Sequence, residues 1–160
     1  MLYDGLQSAL GVAGHDVSRV EILFDESTFE GILAGYREAR ALDLSGFDAV
    51  ISTKAPTFAV RHPRHVVYLV HTIRVFYDMY DSWTDGSAGA IAQRDRVREL
   101  DASALMAIPD GRRFAIGTEV ERRVFGLDTA HRAGATVVMD RESFGEWSAR
   151  LELARVFGRN

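Results

Sequence analysis

The segment HVVYLVH at 65–71 constrains the fold more than any other. Between its two histidines lie five consecutive apolar residues, Val66 to Val70. A half-exposed strand alternates apolar and polar residues. An unbroken run predicts a strand buried on both faces, as in a parallel sheet covered by helices on either side. Parallel neighbours need long crossover connections, so such a chain is expected to alternate strands with helices.

The rest of the sequence supplies that alternation. VSRVEILF (17–24), FDAVIST (47–53), RRFAIG (112–117) and ATVVM (135–139) read as further short strands. Leu2, Leu6, Ala9, Leu10 and Ala13 mark one face of a first helix, and Gly14 is placed to end it. Phe29, Ile32, Leu33 and Tyr36 repeat at helical spacing and predict a helix over 26–41. DSWTDGSAGA (81–90) has loop composition. Residues 91–107 are expected to be helical, with Ile91, Val97, Leu100 and Ala104 inward. Thr118 with Glu121, and Ser143 with Glu146, have capping-box spacing and predict two more helices. The last of these carries Phe144, Trp147, Leu151 and Ala154 on one face.

This order predicts an α/β fold, Rossmann-like and doubly wound, with a mostly parallel sheet and helices on both faces. It is expected to occupy residues 1–140, with 141–160 as a C-terminal helix. Ligands of such folds sit at the carboxyl ends of strands. The residues that follow strands are therefore the candidates: Thr53 and Lys54, His71 to Arg74, Gly117 to Glu119, and Asp140.

Composition narrows the function. The net charge is -4, which offers no electrostatic footprint for nucleic acid. There is no Cys, so disulfides, thiolate metal sites and cysteine nucleophiles are excluded. No apolar run approaches the roughly 20 residues that span a bilayer. The start, MLYDGLQSAL, lacks the basic n-region and long apolar stretch of a signal peptide, so a cytoplasmic protein is expected. Lys54 is the single lysine among 19 basic residues, which singles it out where Arg otherwise serves.

The stretch VISTKAPTFAVRHPRHVVYLVHTIRVFYDMY (50–80) resembles the acceptor-side, N-terminal domain of bacterial glycosyltransferases of the family 4 type, which have the GT-B fold. The resemblance is carried by Ser52, Thr53, Lys54 and Pro56, by Val60 to Pro63, by Val66 to His71, and by Arg74, Tyr77 and Asp78. GHDV (14–17) and RRFAIGTEVERRVFG (112–126) look like flanking segments of the same domain. The resemblance implies transfer of a sugar from a nucleotide sugar to an acceptor, with no metal and no further cofactor. It implies a cleft-facing catalytic His71, substrate-binding Thr53, Lys54 and Arg74, and donor phosphates near Thr118 and Glu119. Family members place a strand and a Gly-rich loop before the first helix, and a nucleotide-binding domain afterwards. Neither stands in this sequence, so an incomplete acceptor domain is expected, inactive alone. It would act with a separate donor-domain chain or as a homo-oligomer. The alternative is a non-catalytic α/β binding module, a degenerate relative.

Each candidate also has a plain structural reading. His71 can be satisfied by backbone at a strand end. Lys54 can be a solvated loop charge, and Arg74 can cap a helix or pair with Asp78. Thr118 can serve only as a helix cap. RHPRH (61–65) holds two histidines, but Pro63 prevents helical alignment and no carboxylate lies within the segment, so loop shaping is expected there rather than metal binding. The arginines at 94–98, 112–113 and 122–123 are expected on solvated faces.

Overall fold

The computed structural model describes residues 2–115. Among these residues, three parallel strands form one sheet in the order β1 (Val50–Lys54), β2 (His65–His71), β3 (Arg113–Ala115). The helices are α1 (Leu2–Val12), α2 (Phe29–Ala41), α3 (Tyr80–Trp83) and α4 (Ala88–Met106). Single 3₁₀ turns stand at Thr57–Ala59, Arg74–Phe76 and Asp110–Arg112. The chain is therefore α/β with a small parallel sheet.

β2 is central and buried as its sequence predicts. Val66 and Val67 are successive residues, point to opposite faces, and are both buried, as is Leu69. The main core joins Val67 and Leu69 to Ile32, Tyr36 and Ala39 of α2, Phe58 of the first 3₁₀ turn, and Val97, Leu100 and Leu105 of α4. The link from β1 to β2 is short, carried by the Thr57–Ala59 turn. The link from β2 to β3 carries α3 and α4.

Local chemistry sets the element ends. Gly14 adopts φ 90°. Its N–H donates to the Gly11 carbonyl and that of His15 to the Leu10 carbonyl, a Schellman closure of α1. Thr28 caps α2 by accepting from the Gly31 N–H at 3.1 Å. Ser87 caps α4 in the same way through the Ala90 N–H at 3.2 Å.

Four expectations need correction. First, 17–24 joins no ladder. Its apolar residues divide, with Ile22 and Phe24 packed against the core while Val20 and Leu23 are exposed. The Phe24 ring lies on α2 at Gly35, so closely that a Cβ there would stand 2.7 Å from it. A cleft separates this segment from β1, however, and an extended segment without a neighbour makes no sheet. Second, β1 runs over 50–54 rather than 47–53, because Asp43 bonds Ser45 in a local turn and Phe47 N–H closes on Leu44. Third, 81–90 is not wholly loop: α3 ends at Trp83 and α4 starts at Ala88, capped by Ser87. Fourth, Ile91 is exposed, whereas Val97 and Leu100 point inward and Ala104 packs against the core. The elements predicted beyond 115, including the strand at 135–139 and the C-terminal helix at 141–160, lie outside the described residues.

Candidate functional site

Parallel pairing brings two of the candidates together. Lys54 closes β1 and His71 closes β2, and the two are register partners at the carboxyl ends of adjacent strands. The ladder shifts just before them: Ser52 pairs with Val67, then Lys54 with His71. β2 thus carries extra residues over β1 there, an irregularity that turns the strand-end side chains away from the regular pleat.

Thr57 fixes the end of β1. Its Oγ1 donates to the Lys54 carbonyl at 2.6 Å and accepts from the N–H groups of Lys54 and Thr53 at 3.3 and 3.4 Å. The Lys54 ammonium stands 4.0 Å from Glu26, at the edge of ion-pair range, with its side chain about a third exposed. Such a pair adds little stability and leaves the ammonium accessible. Lys54, Thr53 and Ser52 also line a cleft of about 1120 Å³ between β1 and residues 14–26, with Leu6 and Leu10 of α1 on its wall.

His71 is exposed, and its Nδ1 lies 3.0 Å from the Thr72 carbonyl. A carbonyl only accepts, so this contact selects the tautomer with the proton on Nδ1. Nε2 then carries a lone pair and has no partner among the described residues. Both readings of His71 therefore hold at different atoms: the backbone satisfies one nitrogen, and the other is left open to a ligand.

Arg74 turns to its own segment. Its Nε and Nη2 donate to Asp78 Oδ2 at 3.0 and 2.7 Å. The carboxylate raises the guanidinium above its ordinary value, so Arg74 stays charged. Thr118 and Glu119, the candidate donor-phosphate residues, lie outside the described residues, as do Gly117 and Asp140.

The histidines of RHPRH are committed to the scaffold. His62 Nδ1 accepts from the Arg64 N–H at 3.1 Å, which leaves Nε2–H to donate to the Phe47 carbonyl at 2.9 Å. His65 Nε2 lies 2.7 Å from Ser52 Oγ across the ladder, with both residues buried. Burial, helped by the nearby His62, pushes His65 down to about 4, so its ring is neutral near pH 7. Among the described residues no group of three His, Asp or Glu side chains is arranged to hold a metal. Nor is any helix among them long and apolar enough to cross a membrane.

One polar cluster was not singled out from the sequence. Asp101 of α4 is 1% exposed and accepts hydrogen bonds from Tyr36 of α2 and, at 2.6 Å, from Tyr77 beyond the Arg74–Phe76 turn. Burial pushes its carboxyl up to about 6 against the opposing effect of the two donors. Burial and the adjacent carboxylate hold both tyrosines above their ordinary range. The signal available in the sequence is position: Asp101 stands four residues after Val97 and four before Leu105, on the apolar stripe. A carboxylate placed there must be paired or hydrogen-bonded.

No family model, curated protein or solved structure matches this chain. The functional reading therefore rests on the strand-end chemistry and on the motif at 50–80.

Proposed function

We propose that this chain is the acceptor-side half of a GT-B glycosyltransferase, with a Rossmann-like doubly wound arrangement, working in the cytoplasm with a donor-binding domain. The observation that carries the reading is the pairing of Lys54 with His71 at the carboxyl ends of neighbouring parallel strands, with His71 Nε2 unoccupied. In the proposed reaction an acceptor hydroxyl attacks the anomeric carbon of a nucleotide sugar. The bond from that carbon to the phosphate oxygen breaks, and the nucleoside diphosphate leaves with the electron pair. His71 Nε2 takes the hydroxyl proton. Lys54 offsets negative charge on the leaving phosphate or on an acidic acceptor, Thr53 lines the approach, and Thr118 and Glu119 border the donor phosphates. The substrates are a nucleotide sugar and an acceptor, with no metal and no further cofactor.

A second reading, a non-catalytic α/β binding module, is favoured by one observation: Arg74 is held by Asp78 through two hydrogen bonds, and so is engaged within the protein. One experiment separates them. Melting temperatures are measured with UDP-, GDP-, ADP- and dTDP-linked sugars, for the chain alone and mixed with a GT-B donor domain, followed by sugar transfer by the pair. The glycosyltransferase reading expects a rise of several degrees in the mixture and transfer that His71→Ala abolishes. No shift with any donor, together with no effect of His71→Ala, supports the binding module instead.

A further inference from the structure

The turn that follows His71 is gripped from α4 at two points. Its own bonds are few: Phe76 N–H to the Ile73 carbonyl, and the N–H groups of Tyr77 and Met79 to the Arg74 carbonyl, at 2.9 to 3.1 Å. It is a single 3₁₀ turn, which is weak without support. The support comes from residues three apart on α4, which share one helix face. Arg98 Nε donates to the Phe76 carbonyl at 2.9 Å, and its guanidinium lies over the Tyr77 ring, 5.1 Å from the centroid. Asp101 receives the Tyr77 hydroxyl at 2.6 Å. The other oxygen of Asp101 receives Tyr36 from α2, so the carboxylate is held from both sides.

We infer that Asp101 is a positioning residue: acting through Tyr77, it sets the turn that follows His71 and carries Arg74. Two consequences bear on the strand end. Thr72, whose carbonyl selects the His71 tautomer, leads directly into this turn. A loosened turn moves that carbonyl and frees the ring to exchange tautomers. Arg74 sits within the same turn, so its place relative to Lys54 and His71 follows from the Tyr77–Asp101 bond. The relevance to ligand chemistry rests on the strand-end site proposed above, whereas the fixing of the turn does not. A buried carboxylate with two phenol donors, and no cation paired with it among the described residues, is suited to this role because each of its oxygens is fixed by one directed bond, from opposite sides.

The test compares two variants of the full chain that remove one hydroxyl each from the same carboxylate. Tyr77→Phe keeps the ring and its place under Arg98 but frees the turn. Tyr36→Phe removes an equivalent bond on the α2 side. Amide exchange is followed over 73–80 and over 29–41, and the His71 tautomer is read from imidazole ¹⁵N shifts. Tyr77→Phe is expected to speed exchange in 73–80 at least tenfold and to shift His71 from the Nδ1–H form toward a mixture. Tyr36→Phe is expected to leave both within twofold while loosening 29–41. Asp101→Asn, which still accepts, should stay closer to the parent than Asp101→Ala. If Asp101→Ala does not fold, the two tyrosine variants decide alone. Unchanged exchange and tautomer in Tyr77→Phe would overturn the inference. So would loosening of 73–80 by Tyr36→Phe as large as that by Tyr77→Phe, because the effect would then be general destabilisation. Neither outcome depends on a sugar: failure to bind nucleotide sugars with the turn intact counts against the proposed function only.

Discussion

Two polar clusters among the described residues are built on opposite terms. At the strand ends, Lys54, His71 and Arg74 are exposed or partly exposed, and their partners are a neighbouring backbone carbonyl, a solvated carboxylate at 4.0 Å, and an Asp four residues on. Behind them, Asp101 is enclosed and joins residues 65 and 24 positions away in the chain. Loss of an exposed charge returns a solvated group to water and costs little. Loss of a buried acceptor leaves the buried Tyr36 hydroxyl without its partner and the half-buried Tyr77 hydroxyl without its bond. The first cluster is suited to meet a ligand and the second to hold the frame in place, so stability and binding should separate cleanly between them.

The largest expected effect on stability is therefore at Asp101. Asp101→Ala should lower the unfolding free energy by about 2–4 kcal/mol in urea, with Asp101→Asn costing about half as much or less. A loss below about 0.5 kcal/mol for the alanine variant would show that the buried cluster does not hold the frame.

Next comes pH. The folded carboxyl of Asp101 titrates at about 6, above its ordinary 3.8, so its contribution favours folding at low pH and is lost as pH rises through 6. The folded ring of His65 titrates at about 4, below its ordinary 6.5, so its contribution is present above 6.5 and is lost as pH falls toward 4. Between pH 7 and 5 each is worth about 1–2 kcal/mol with opposite sign, and the parent protein should show a nearly flat profile. Asp101→Asn should lose stability on acidification, and His65→Asn should gain it. Urea midpoints at the two pH values check both signs, and profiles that tilt the same way would remove the account of one of the two groups.

The smallest stability effects belong to the strand ends. His71→Ala and Arg74→Ala should each leave the urea midpoint close to that of the parent. A fall in the midpoint as large as that of Asp101→Ala in either would erase the contrast between the clusters.

The same contrast explains what was legible in the sequence. β2 was readable because its apolar run has only one comfortable setting, between two covered faces. α2 was readable from its spacing and its Thr28 cap. The 17–24 segment shows the limit of pattern reading: its β-branched and apolar residues suit an extended chain, and Ile22 and Phe24 do pack inward, but composition cannot supply a neighbouring strand. Lys54 and His71 could be placed at strand ends from their own segments alone. Their facing each other needed the ladder shift, which no local pattern encodes. Asp101 escaped because helix periodicity counts apolar residues, whereas a buried carboxylate is explained only by Tyr36 and Tyr77, far away in sequence.

The central claim is that the exposed strand-end cluster around Lys54 and His71, and not the far wall of the cleft formed by residues 14–24, is where a sugar-bearing ligand is met. The most direct measurement is an amide and imidazole NMR titration of the chain with nucleotide sugars, in the presence of a GT-B donor domain, for the parent and for His71→Ala. The account predicts shifts that centre on Lys54, His71 and Thr72, with the His71 imidazole responding at Nε2, and their loss in the variant at unchanged melting temperature. Shifts confined to the cleft residues 15–23, or a pattern that survives His71→Ala intact, would contradict it.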